Sequence, residues 1–204
     1  MIRRPPRSTQ GVSSAASDVY KRQIICNIWG FPTTSMVPVI AETILSINAT
    51  LLGILVGAEG AGCLIGSILV AGIKNKRTQS FLFVSGAFLF LICIFLFSIS
   101  EIYLLSLLLL FFGGVGVSGF STMQSVITVD RTKPELRGSA MGYLSTTIGT
   151  QPLGALNVGI TCSLLAPHIG IRVSALEGII CMIIVLFISN FFNSRINKNR
   201  NLDN

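Results

Sequence analysis

Charge is what this sequence has least of. Only 11% of its 204 residues are Asp, Glu, Lys or Arg, against roughly a quarter in soluble domains. So few ionic groups cannot cover a folded surface exposed to water, which excludes a soluble globular protein. Histidine and tryptophan occur once each, as His168 and Trp29, and a lone histidine makes no ligand set. The five cysteines (Cys26, Cys63, Cys93, Cys162 and Cys181) contain no C-x-x-C pair. Each falls within or near an apolar run, where cysteine behaves as a small apolar residue, so neither disulfide nor metal is expected. H-E-x-x-H and G-x-S-x-G are both missing, which removes common hydrolase signatures and predicts no enzyme and no cofactor. The net charge of +7 does not point to nucleic acid, because residues 1–23 alone carry Arg3, Arg4, Arg7, Lys21 and Arg22 against Asp18. No basic face runs along any predicted helix.

What the chain does have is apolar length. Its hydrophobic fraction is 51% and its mean hydropathy +0.75. With about 20 apolar residues needed per crossing, the sequence predicts an all-α, polytopic membrane protein with six spans over residues 24–41, 50–73, 80–100, 102–129, 136–166 and 173–192. No room is left for a separate soluble domain. Residues 1–23 form no signal peptide, since no apolar stretch follows the arginines. They resemble translated sequencing-adapter sequence, with a basic tail at the cytoplasmic surface as the alternative. The first reading makes 1–23 a non-native leader and 24–204 the C-terminal six-helix domain of a longer protein.

The loops sort by charge. The turns after helices two and four and the tail carry three Lys or Arg each, whereas the turns after helices one, three and five carry none, none and one. The positive-inside rule then places both ends of the six-helix unit in the cytoplasm. The densest charge lies at 129–142, with Asp130, Arg131, Lys133, Glu135 and Arg137 between two uncharged stretches. Thr132 and Glu135 have capping-box spacing, and Pro134 suits a first helical turn.

Polar residues inside spans are the functional candidates, because burying them in lipid is costly unless they pair or line a cavity. Glu59 lies nine residues into helix two, roughly 13 Å deep at 1.5 Å per residue. It is either a proton-coupling or cation-binding carboxylate, or a structural acid hydrogen-bonded across a helix interface. Glu177, one turn into helix six, either has a functional role or simply reaches the outer interface. Gln124, Gln151, Asn157 and Asn27 could bond a substrate or a neighbouring helix. Gly53 with Gly57 and Gly62 with Gly66 are G-x-x-x-G pairs, which let helices approach closely and predict a helix buried among others. Residues 114–119 spell G-x-G-x-x-G, but inside a membrane helix the pattern reads as packing, since the dinucleotide motif needs a βαβ unit. Pro152, followed by Gly154, should loosen helix five near its middle.

These features together resemble the C-terminal half of a major facilitator superfamily transporter, helices seven to twelve of twelve. Pro134-Glu-x-Arg137-Gly138-x-x-Met141-Gly142 resembles that family's cytoplasmic loop between helices ten and eleven. Gln151-Pro152-Leu153-Gly154 resembles the next helix, most closely in the branch of the enterobactin exporter and macrolide efflux proteins. Lys74 to Arg77 resembles the basic end of the loop between helices eight and nine, although Val70 and Ala71 stand where its acidic partner would be. The resemblance implies two six-helix halves rocking about a mid-membrane site. It further implies proton-coupled efflux of a drug-like or siderophore-like molecule across a bacterial inner membrane, with lipid and a missing N-terminal half as partners. Glu59, Gln124, Gln151, Asn157 and Glu177 would serve substrate or proton, and the 130–137 charges a cytoplasmic gate. A nutrient importer on the same fold and a non-transporting six-helix subunit are the alternatives.

Overall fold

The computed structural model describes residues 14–200, with side chains from 19 to 189. The N-terminal part of the leader, the four C-terminal residues and the side chains of the basic tail lie outside that description. Within it the chain is helical throughout, and no strand occurs among the described residues.

The first crossing, Val19–Thr43, is 25 residues long but not one regular helix. It comprises α1 (Ser14–Ile25), a π-helical turn (Cys26–Gly30), a 3-10 turn (Phe31–Met36) and α2 (Val37–Thr43). Pro32 and Pro38 account for the irregularity, because each removes a donor and crowds the carbonyl four residues back. Hydroxyls bond back within this stretch: Thr33, Thr34 and Ser35 donate to the carbonyls of Gly30, Phe31 and Pro32 at 2.5, 2.7 and 2.6 Å. Helix starts before residue 24, and Val19 and Gln23 are buried.

The next three helices, α3 (Ala49–Val70), α4 (Lys76–Phe97) and α5 (Tyr103–Asp130), form a tight layer with α5 in the centre. Asn48 caps α3 and Asn75 caps α4, accepting from the amides of Leu51 and Arg77, both at 2.9 Å. Glycines set the spacing. A Cβ on Gly62 would strike the Phe111 carbonyl, and one on Gly114 the Glu59 carbonyl. On the other flank, Cβ atoms on Gly86 and Gly116 would lie 2.6 and 2.7 Å from each other's carbonyl oxygens. The G-x-G-x-x-G of α5 is thus a packing device. Phe83 and Phe120 stack beside it with centroids 4.8 Å apart.

The predicted fifth span is two helices, α6 (Arg137–Ile148) and α7 (Gln151–Leu164). The break falls at Gly149 and Thr150, just ahead of Pro152, whose missing donor stops the outgoing ladder from continuing backwards. Consequently five helical segments among the described residues, not six, are each long and apolar enough to cross a membrane. The broken pair packs against the irregular part of the first crossing: a Cβ on Gly154 would come within 2.5 Å of the Asn27 and Ile28 carbonyls.

Four further expectations need correction. The last helix, α8 (Pro167–Arg200), begins six residues before residue 173. Pro167, His168 and Arg172 lie inside it, and the turn is made by Leu165 and Ala166, the latter at φ 127. Arg172 was misplaced because its charge suggested a loop, whereas it donates to the Ser98 carbonyl at the end of α4, 3.2 Å away. The capping box does not form: Lys133 precedes a 3-10 turn (Pro134–Leu136), and Thr132 Oγ1 is buried without a hydrogen-bond partner. Finally, α3 is not buried all round. Gly62 and Gly66 face α5, while Cβ atoms on Gly53, Gly57 and Gly60 would meet nothing within 4 Å.

Candidate functional site

Counted from the starts of the observed spans, two carboxylates occupy the same position. Glu59 is the eleventh residue of Ala49–Val70, and Glu177, with α8 starting early, is the eleventh of Pro167–Ser189. Trp29 is likewise the eleventh of Val19–Thr43. Glu59 and Trp29 are therefore near the middle of their spans, and Glu177 is three turns into α8, a helix that continues to Arg200.

Trp29 and Glu177 meet. The indole Nε1 donates to Glu177 Oε2 at 2.9 Å, joining the first crossing to the last. Gly178 makes this possible, because the Trp29 Cβ lies 3.0 Å from where its own Cβ would stand. The carboxylate remains exposed within the chain. Glu59 is half-buried, its peptide carbonyl pressed on Gly114 and its side chain one turn from Cys63. Among the described residues Glu59 makes no hydrogen bond or ion pair, so the cross-helix hydrogen bond of the structural reading is not seen. No bond joins the two carboxylates.

The other polar candidates divide. Gln124 is buried near the end of α5, and its Oε1 finds no partner. Asn157 is half-buried on α7 and Gln151 is exposed at its start. Asn27 is structural: it accepts from Gln23 Nε2 at 3.2 Å and donates to the Thr147 carbonyl at 2.7 Å. Thr150 Oγ1 donates to the same carbonyl at 2.7 Å. The Thr147 carbonyl also accepts from the Thr150 amide at 3.2 Å, so the break between α6 and α7 is bonded both locally and to the first crossing. Tyr20 repeats the connection one level away, donating to the Ala140 carbonyl at 3.1 Å.

The 130–137 loop is half clasped. Asp130 accepts from Gln79 Nε2 at 3.2 Å, and Arg131 donates to the Lys76 carbonyl at 3.1 Å and Ser80 Oγ at 2.6 Å. The loop after α5 is thereby tied to the first turn of α4. Lys133, Glu135 and Arg137 are exposed.

The Trp29–Glu177 link was missed in the sequence, although a lone tryptophan amid polar and apolar residues of a crossing was a usable signal. Among the described residues no group of three His, Cys, Asp or Glu could hold a metal ion. The arrangement brings together two carboxylates within helical spans, two interrupted helices, and a charged loop at one end. No match to this chain is found among curated proteins. The sequence pattern of the Major Facilitator Superfamily matches residues 24–202. Helical architecture, membrane-length spans and that match agree, and the chain belongs to the major facilitator superfamily of membrane transporters.

Proposed function

We propose that the chain is the C-terminal half of a secondary transporter that exports a drug-like or siderophore-like small molecule in exchange for protons. The observation that carries this reading is the pair of carboxylates within helical spans, Glu59 and Glu177, because an ionisable group there needs a cavity, a partner or a cargo. In this reading protons bind at one or both, and Gln124, Asn157 and Gln151 offer hydrogen bonds to substrate. The α6–α7 pair bends at Gly149 as access alternates. The exposed Gly53–Gly57–Gly60 face of α3 and the open side of α7 meet an N-terminal six-helix half, and Lys133, Glu135 and Arg137 gate the cytoplasmic side. In this reading the transporter lies in a bacterial inner membrane with its C-terminus in the cytoplasm, and the first crossing includes Val19 to Gln23.

The test is transport by the chain joined to its upstream half, in everted vesicles energised by a pH gradient and given a fluorescent drug in the medium. Glu177→Gln or Glu59→Gln should lower gradient-driven uptake at least tenfold while leaving substrate counterflow intact. Full gradient-driven uptake in the double variant would sink proton coupling through these residues, and uptake in the opposite direction would favour import.

A further inference from the structure

Between α3 and α4 a cavity of about 180 Å³ opens over α5. Its floor is close to bare backbone, with Gly116 and Gly119 of α5, and its walls are Leu69 and Ile73 on one side and Leu82 and Ser85 on the other. Ser85 spends its hydroxyl on the Leu82 carbonyl at 3.5 Å. The lining offers nothing to a polar solute. It is also far too small for a helix of about 10 Å diameter, so no span of another subunit fits into it.

What surrounds the groove says what it meets. The α5 stripe that forms the floor continues away from the loops as Leu104, Leu108 and Phe112, which are 64, 46 and 49% exposed. Leu69 on the rim is 68% exposed. A continuous stripe of large apolar side chains at i, i+4, i+8 is a lipid-facing surface. At the other end Ile73 leads directly into Lys74, Lys76 and Arg77, all exposed. Asp130 at that end accepts from Gln79, and Arg131 is held by Ser80, so the three outer cations have their charge to offer. An apolar slot one chain wide, ending at three cations at the membrane face, matches a molecule with a long alkyl tail and an anionic head.

We propose that this groove is a binding site for an anionic phospholipid, one acyl chain lying on Gly116 and Gly119 and the phosphate held by Lys74, Lys76 and Arg77. The site is separate from Glu59 and Glu177 and does not depend on the transport reading. It is tested with the full chain in nanodiscs containing a trace of phosphatidylglycerol or phosphatidylcholine, each with a photoreactive group in the acyl chain. Crosslinked peptides are then mapped by mass spectrometry. The phosphatidylglycerol probe should label 69–89 several-fold more than the phosphatidylcholine probe. Replacing the cations (Lys74→Gln, Lys76→Gln, Arg77→Gln) should abolish that preference, by roughly an order of magnitude in relative yield. Ser85→Leu, and independently Leu69→Phe, should block labelling inside the groove while leaving it on the Leu104–Leu108 stripe. Equal labelling by the two probes would reduce the groove to ordinary boundary lipid and overturn the proposal. So would unchanged labelling after both groove fillings, or a dimer in the nanodisc that Ser85→Leu dissolves.

Discussion

The α3–α5–α4 layer and the pair formed by the first crossing with α6–α7 are built on opposite principles. In the layer, glycines bring backbone onto backbone, and each helix runs unbroken for 22 or 28 residues. In the pair, prolines and a glycine break both partners, and side-chain hydroxyls and an amide bond carbonyls beside the breaks. The layer can move only as a block, because close-packed backbones have no intermediate arrangement. The pair can change its bend by exchanging one hydrogen bond for another. A transporter needs both, a rigid reference and an element that yields, and here the two lie side by side.

The contrast is broken most severely by adding volume to the layer. Gly116→Leu should destabilise the chain by at least about 3 kcal/mol, the upper end for overpacking, since the obstacle is the Gly86 carbonyl and not a movable side chain. Gly57→Leu, whose Cβ meets nothing within this chain, should leave stability unchanged. Unfolding in mixed detergent, followed by circular dichroism, measures both, and equal losses would show that the two glycines are not used differently.

A smaller effect is expected at the pair. Asn27→Ala removes the one donor that reaches the Thr147 carbonyl from another helix and should cost about 1 kcal/mol, the scale of a hydrogen bond between membrane helices. Its signature should be local: amide exchange faster over 147–154 and unchanged in α5. Uniform acceleration would mean that pair and layer open together. The smallest effect is expected at Thr132, whose hydroxyl is buried without a partner. Thr132→Val should lie within about 0.5 kcal/mol of the parent or be slightly more stable, and a clear loss would reveal a bond formed in another state.

Fold class, the apolar spans and the four long helices were legible because membrane crossings need long apolar runs, which survive any uncertainty in packing. The split use of the α3 glycines was legible too, and was overlooked. Gly57 and Gly62 are five residues apart, which at 3.6 residues per turn turns them about 140° from one another, so the two pairs could not face one neighbour. The start of α8 was not legible, because Arg172 looks like a loop residue until the Ser98 carbonyl that it reaches is known. That error carried over to Glu177, whose depth is counted from the helix start. The break at Gly149 was anticipated from Pro152 in kind but not in place, since the donor that reaches it from another helix, Asn27, is 120 residues away from Thr147.

One small neighbour gives the mid-span carboxylate an unusual experimental accessibility. Cys63 is a free thiol one turn along α3 from Glu59 and is not fully covered by the chain. A thiol reagent that cannot cross lipid reaches such a sulfur only through water, and only from the side on which water has entered. Its labelling from one face or the other would therefore time-stamp which side of the membrane Glu59 is open to, with no residue introduced for the purpose.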